Sequence, residues 1–146
     1  MTEPVTLSDH ERLAQARMDP GAWAYLFGGA ADEITLRDNC AAWQRLQLRP
    51  RVLRPLSGGH TRRELFGREL AHPLLVAPMA YQRLAHRQGE LASAMAASVM
   101  GLGYVLSTQS SVSLEEVAHL ANEEADRGPL WFQLYLQPDR GLTQSL

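Results

Sequence analysis

The sequence predicts an α/β protein in which a helical amino-terminal segment precedes a parallel β-sheet. Two observations support this fold class. From residue 73 onward, short apolar runs alternate with helical segments, a pattern typical of βαβ units whose sheet is buried on both faces. Residues 1–50, by contrast, carry the signals that begin and end helices. The alternation alone leaves open whether the sheet is doubly wound or closed into a (β/α)8 barrel.

The first two helices are predicted from their capping residues. Ser8 and Glu11 have the spacing of a capping box, which predicts a first helix that continues to Met18. Pro20 suits the first position of a second helix, because its fixed φ is already helical. The glycines at positions 28–29 should end that helix, since glycine tolerates positive φ.

A third helix is predicted over residues 32–46, where apolar side chains recur at helical spacing. The stripe consists of Leu36, Cys40, Trp43 and Leu46. Residues 51–72 predict short extended segments, with a hairpin around the glycines of residues 57–59. The predicted organisation is therefore a helical extension over residues 1–50, extended segments over residues 51–72, and three βα units over residues 73–146.

Three strand and helix pairs are predicted in the last of these segments. The strands are residues 73–77, 104–107 and 130–136, and the helices are residues 89–100, residues 113–124 and a segment from Asp139 onward. Ser113 and Glu116 have capping-box spacing at the front of the second of these helices.

Candidate functional residues lie at the predicted carboxyl ends of the strands, where α/β proteins place their ligand sites. The three ends are residues 77–80, 107–109 and 133–135. Gln133 and Tyr135 are two residues apart, so both should point to the same face of their strand. Polar side chains in an apolar strand need partners, and a bound polar ligand or the neighbouring backbone would supply them equally well.

The composition argues against several classes of partner. A net charge of −2 gives no general attraction for nucleic acid or for an anionic membrane. Cys40 is the only cysteine and the five histidines lack metal-ligand spacing, so we expect neither a disulfide nor a metal site. We find neither a signal-peptide pattern nor an apolar run of membrane-spanning length, and we therefore expect a cytoplasmic protein.

A series of short motifs runs from about Ala22 to the end of the chain. The motifs are Tyr25 with residues 28–33 (GGAADE), residues 35–39 (TLRDN), residues 49–53 (RPRVL), residues 75–80 (LVAPMA), His86 with Gly89 and Glu90, residues 106–107 (LS), residues 113–117 (SLEEV) and residues 131–135 (WFQLY). In this order they resemble the FMN-dependent 2-hydroxy-acid oxidases and dehydrogenases, a family that includes glycolate oxidase, lactate oxidase and hydroxymandelate oxidase.

The resemblance implies a (β/α)8 barrel of the TIM-barrel type, with FMN at the carboxyl ends of its strands. Residues 51–72 would lie at the bottom of the barrel, and residues 73–146 would form the first three βα units of a truncated FMN-binding barrel. FMN would be bound by Pro78, Met79, Ala80, Ser107 and Gln133, the first three through main-chain groups. Tyr25 would contact the substrate carboxylate. Tyr135 would contact the hydroxyl group or the developing carbonyl, and is the predicted catalytic residue because a phenol can assist electrostatically at that oxygen.

The implied activity is FMN-dependent oxidation of a small 2-hydroxy acid to the 2-oxo acid, by an enzyme that is a homo-oligomer when complete. The base histidine, the substrate-binding arginine and the phosphate-binding loops of the family would belong to later units of the barrel, so we expect the chain to be inactive by itself. Two alternatives stay open: a non-catalytic partial barrel that needs a second chain to close, and a different FMN-binding barrel enzyme. Met79 and Gln109 stand where plant-type glycolate oxidases have threonine and tryptophan, which leaves the substrate open.

Overall fold

The computed structural model describes residues 3–123 and 127–145. They divide into two compact units, with the boundary between Gly59 and His60. The first unit contains the helices α1 (Leu7–Gln15), α2 (Pro20–Phe27) and α3 (Ile34–Gln44). The second contains β1 (Arg63–Leu65), β2 (Arg68–Leu70), β3 (Leu75–Val76), α4 (Glu90–Val99), β4 (Gly103–Ser107), α5 (Leu114–Ala121), β5 (Leu130–Gln133) and α6 (Arg140–Ser145).

The start of α1 is fixed by a capping box, but not by the predicted one. The Thr6 hydroxyl accepts the N–H of Asp9, and the Asp9 carboxylate accepts the N–H of Thr6. The prediction of a box between Ser8 and Glu11 is therefore wrong by two residues. Pro20 occupies the first position of α2, as predicted.

The glycines after α2 end the helix, as predicted, but by a different mechanism. Gly28 has an extended backbone with φ −71° and ψ 146°, not a left-handed one. A Cβ at Gly28 would lie 2.4 Å from the carbonyl oxygen of Ala24, so the glycine is needed for this close approach. The left-handed conformations fall on Ala31 and Glu33, just before α3.

The predicted apolar stripe of α3 is not buried in this unit. The helix is shorter than the predicted residues 32–46 and begins after the left-handed Glu33. Trp43 is 77% exposed, and the other stripe residues Leu36, Cys40 and Leu46 are also exposed. Among the described residues of the first unit, Ala22 is the one buried side chain. The stripe therefore forms no core within the first unit.

The hairpin lies later in the chain than predicted. β1 and β2 pair in antiparallel fashion, with Arg63 opposite Leu70. Their turn uses Phe66 and Gly67, whose φ values of 50° and 74° are those that a two-residue hairpin turn requires. The structure describes residues 57–59 as a turn without a flanking strand pair, so the hairpin predicted there is wrong.

The three remaining strands form a parallel sheet in the order β3, β4, β5, joined by α4 and α5. In the register, Val76 lies opposite Tyr104 and Ser107 lies opposite Gln133. The core between sheet and helices contains Ala94, Ala97, Tyr104, Leu106, Val112 and Val117. The predicted α/β class with parallel βαβ units is confirmed. Across the described residues, every helix is too short or too polar to cross a bilayer.

The ends of the elements differ from the predicted ones by a few residues. β5 ends at Gln133, three residues before the predicted end. α5 begins with the predicted capping box, in which the Ser113 hydroxyl accepts the N–H of Glu116 over 3.2 Å. The predicted end of that helix, Glu124, lies outside the described residues.

Candidate functional site

The last residues of β4 and β5 bring two predicted cofactor ligands together. Because the strands are parallel, their carboxyl ends meet at one edge of the sheet, where Ser107 is opposite Gln133. The Ser107 hydroxyl donates to Oε1 of Gln133 over 3.3 Å and accepts the N–H of Gln109 over 3.1 Å. Within the part of the chain that the structure describes, Nε2 of Gln133 donates to no protein acceptor. The pair therefore retains an amide donor for a ligand.

Thr108 joins the two strand ends, a role that the sequence did not reveal. Its N–H donates to the carbonyl oxygen of Gln133 over 3.0 Å, and its hydroxyl donates to the same oxygen. The Thr108 hydroxyl also accepts the N–H of Tyr135 over 2.9 Å. The only signal was the position of a hydroxyl residue directly after an apolar strand.

Tyr135 lies beyond the end of β5, so the prediction that the strand continues through Tyr135 is wrong. Its backbone leaves the strand because its N–H bonds to the Thr108 hydroxyl instead of to a strand neighbour. The carbonyl oxygen of Tyr135 accepts from Nε2 of Gln137 over 3.0 Å. The backbone is thereby fixed while the side chain is 52% exposed, which leaves the phenol accessible to a small molecule.

The segment after β3 offers main-chain donors at the same edge. Pro78, Met79 and Ala80 follow β3 directly, and the N–H groups of Met79 and Ala80 donate to no acceptor among residues 3–123 and 127–145. The next residue, Tyr81, donates its N–H to the carbonyl oxygen of Gln109 over 3.0 Å. Its φ of 51° and ψ of 47° place it in the left-handed region, which is costly for a tyrosine.

Tyr25, the remaining predicted site residue, belongs to the first unit. It lies in α2, and about half of its surface is exposed. The other predicted site residues all lie in the second unit. Neither unit, in its described residues, holds a group of three His, Cys, Asp or Glu side chains placed to bind a metal ion.

A buried polar network lies behind the strand ends, and sequence analysis did not identify it as part of the site. Oε1 of Glu90, the first residue of α4, accepts the N–H groups of Gln82 and Ser111. Nε2 of Gln82 donates to the hydroxyl of Tyr104 over 3.1 Å. Burial raises the pKa of Tyr104, and the charge of Glu90 adds to that rise while the Gln82 hydrogen bond opposes it. An acid that directly follows a glycine at the start of an alanine-rich helix was the available signal.

Sequence comparison matches the chain to one protein family and to several named proteins. Residues 14–146 match the profile of a family described as FMN-dependent dehydrogenase. The chain is 47% identical to L-lactate oxidase of Nostoc sp. over all of its length and 40% of that protein. It is 44% identical to 4-hydroxymandelate oxidase of Amycolatopsis orientalis, over 90% of this chain and 35% of that protein. With 2-hydroxyacid oxidase 2 of Homo sapiens it shares 39% identity, over 97% and 39% of the two chains.

Structural comparison gives the same neighbours. The crystal structure of mandelate oxidase superposes with a TM-score of 0.86 at 41% identity, covering 98% of this chain and 40% of that one. A mandelate oxidase variant with a monooxide FMN adduct gives a TM-score of 0.84 at 41% identity, with 94% and 41% covered. The chain thus spans 35% to 41% of the length of these relatives.

Proposed function

The chain belongs to the FMN-dependent dehydrogenase family, and on that premise we propose that it supplies the first three βα units of an enzyme that oxidises a small 2-hydroxy acid. The product is the 2-oxo acid. The whole enzyme is a (β/α)8 barrel, a fold of about 250 residues and eight strands. Residues 1–50 form its helical extension, residues 51–72 lie at the bottom of the barrel, and residues 73–146 form the first part of its wall. The names of the relatives support the class of substrate.

The observation that carries this proposal is the pair formed by Ser107 and Gln133 at adjoining strand ends, 3.3 Å apart. The Gln133 amide of this pair has no protein acceptor in the described residues, and neither do the N–H groups of Met79 and Ala80, which follow the neighbouring strand β3. The pyrimidine edge of an oxidised flavin carries two carbonyl oxygens and N1, which accept hydrogen bonds, and N3–H, which donates one. The residues present therefore fit FMN, which when bound supplies the capacity to accept two electrons from the substrate.

The protein groups contribute binding and electrostatic assistance. With FMN bound, the Gln133 amide and the N–H groups of Met79 and Ala80 would stabilise negative charge on its ring. The Tyr135 phenol is exposed on a backbone held by Thr108, and it hydrogen-bonds the substrate oxygen at the carbon that is oxidised. Tyr25 contacts the substrate carboxylate. The base and the cationic substrate ligand come from parts of the barrel beyond these three βα units.

Two proteins test the proposal: the 146-residue chain itself, and a hybrid in which it replaces the matching 40% of the Nostoc L-lactate oxidase. We expect the chain alone to oxidise none of lactate, mandelate and glycolate, and the hybrid to bind FMN and oxidise at least one of them. In the hybrid, Gln133→Leu should weaken FMN binding about tenfold, because one hydrogen bond to a charged or polar ring is lost. Gln47→Leu, at an exposed position of the first unit, is the matched control. A folded hybrid that takes up no FMN would overturn the proposal.

A second candidate function is a partial barrel that closes only with another polypeptide. It is favoured by the edge of β5, which among the described residues pairs with β4 alone and so leaves backbone groups available on its other side. Sedimentation of the 146-residue chain separates the two candidates. A colourless oligomer of the chain, combined with an inactive hybrid, would favour the second one.

Two finer points belong to the same proposal. The complete enzyme is a homo-oligomer, and its location is cytoplasmic, where the exposed thiol of Cys40 would stay reduced. Sedimentation of the hybrid and fractionation of the source cells test these points separately.

A further inference from the structure

Two loops at the carboxyl edge of the sheet are joined by one buried carboxylate. The first strand-end loop is residues 77–83, after β3, and its last two residues begin a short 3-10 helix (Gln82–Leu84). The second strand-end loop is residues 108–112, after β4. Glu90 has no exposed surface, and its Oε1 accepts the N–H of Gln82 over 3.1 Å and the N–H of Ser111 over 2.9 Å. One oxygen of α4 therefore holds one backbone group from each loop.

The same two loops are also bonded directly to each other. The N–H of Tyr81 donates to the carbonyl oxygen of Gln109 over 3.0 Å, and the N–H of Arg83 donates to the hydroxyl of Ser111 over 3.2 Å. Gln82, which lies between Tyr81 and Arg83 in the sequence, donates its N–H to Glu90. The three successive residues of the first loop are thus all anchored to the second loop or to the carboxylate.

The side chain of Gln82 ties this arrangement to the core. Its Nε2 donates to the Tyr104 hydroxyl over 3.1 Å, and its Oε1 accepts from the hydroxyl of Ser93. Gly89, which precedes Glu90, has a φ of 52°, and a Cβ there would lie 2.8 Å from the side chain of Arg83. The glycine thus allows the start of α4 to approach the first loop closely enough for the carboxylate to reach it.

From this geometry we infer that Glu90 is a positioning residue for the flavin: it fixes the first strand-end loop, and with it the main-chain donors of Met79 and Ala80. The inference rests on the proposed function, which assigns those donors to FMN. Tyr81 holds a left-handed backbone directly after them. A strained residue persists only where its surroundings determine its conformation. Here the N–H of Tyr81 donates to Gln109, and the N–H of the next residue, Gln82, donates to Glu90.

The second carboxylate oxygen of Glu90, Oε2, also supports a positioning role. Oε2 is buried and accepts no hydrogen bond from the described residues. A buried acceptor without a donor lowers stability, so the carboxylate is not explained by stability alone. Its position at the junction of the two loops fits a role in placing them.

The test has one arm without flavin and one with it. In the 146-residue chain, Glu90→Ala should speed hydrogen exchange of the Gln82 and Ser111 amides about tenfold or more, because both lose a charged acceptor. Glu90→Gln keeps one carbonyl oxygen for both N–H groups, so it should restore most of the protection. Glu115→Gln is the matched control, because Glu115 is an exposed acid in the first turn of α5.

In the FMN-loaded hybrid, Glu90→Ala should shift the flavin absorbance band and lower kcat about tenfold or more while KM changes little, because displaced donors face the flavin rather than the substrate. Glu90→Gln should lie between Glu90→Ala and the unsubstituted hybrid. Unchanged exchange of both amides, or an unchanged flavin band and kcat in a folded Glu90→Ala hybrid, would overturn the inference. If the unsubstituted hybrid takes up no FMN, the proposed function and the flavin role fail together, whereas faster exchange in the chain would still assign Glu90 to the junction of the loops.

Discussion

The two units of the chain begin their helices in the same way but differ in what is buried behind them. α1 starts with the capping box of Thr6 and Asp9, and α5 starts with that of Ser113 and Glu116. The second unit buries a cluster of apolar side chains between sheet and helices, whereas the described part of the first unit buries Ala22 alone. Capping residues therefore determine where a helix begins, but apolar burial determines how strongly it is held.

The largest effect should come from the core of the second unit. Leu106 is 1% exposed in β4, so Leu106→Ala should lower the free energy of unfolding by about 2–5 kcal/mol. Leu53→Ala, at a fully exposed position of the first unit, should change it by less than about 0.5 kcal/mol. Urea unfolding followed by circular dichroism measures both. Equal effects would mean that the two units do not differ in burial as described.

Two glycines, Gly58 in the first unit and Gly128 in the second, allow the backbone packing of the units to be compared. A Cβ at Gly128 would lie 2.3 Å from the carbonyl carbon and oxygen of Leu102, so Gly128→Ala must displace backbone and should cost about 3 kcal/mol. Gly58→Ala meets no atom within 4 Å, and its φ of 76° should cost only about 1 kcal/mol. Urea unfolding of the two variants measures both losses of free energy. A larger loss at Gly58 would contradict the assignment of the tight packing to the second unit.

Loss of either capping box should have a different effect on the stability of the second unit. Ser113→Ala removes the cap of a helix packed on the core, so it should lower the free energy of unfolding of the second unit by about 1 kcal/mol. Thr6→Ala should reduce the helicity of α1 and leave the second unit's urea midpoint where it is, since α1 belongs to the other unit. Urea unfolding measures the free energy and midpoint of the second unit, and hydrogen exchange resolved by residue measures the helicity of α1. A shift of that midpoint by Thr6→Ala would show that the units are coupled.

The smallest effect should appear at alkaline pH and only in the second unit. Burial raises the pKa of Tyr104 above its ordinary value of 10.0, so the folded state keeps the phenol proton longer than the unfolded state does. The stability linked to this proton is present below about pH 10 and is lost as the pH rises through the raised value. Thermal unfolding between about pH 8 and pH 11 should show this decline, and Tyr104→Phe should remove it. An identical decline in the Tyr104→Phe variant would assign it to another group.

Much of the fold could be predicted because the apolar runs are local. The strands that became β3, β4 and β5 are continuous apolar segments, and the box of Ser113 and Glu116 was visible from spacing alone. The prediction failed where distant groups decide the backbone. β5 stops at Gln133 because the N–H of Tyr135 bonds to the hydroxyl of Thr108, 27 residues away in sequence. The hairpin forms at Phe66 and not at the glycines of residues 57–59, because strand pairing depends on the flanking segments.

The sequence predicts candidate residues at the strand ends but not the network that supports them. Ser107 and Gln133 are candidates because strand ends carry ligands in α/β folds, and the register places the two residues opposite each other. Glu90 was missed as a support because its partners Gln82 and Ser111 lie 8 and 21 residues away. A window of sequence around an acid at a helix start gives no sign that the acid is buried.

The shared acceptor on Glu90 has a consequence for the redesign of this chain. Because a single oxygen serves an amide from each strand-end loop, the loops cannot be grafted one at a time. A transplanted second loop of different length would also leave the N–H groups of Tyr81 and Arg83 without their acceptors on Gln109 and Ser111. The two loops and the start of α4 form one structural unit. A variant library should therefore replace all three segments together.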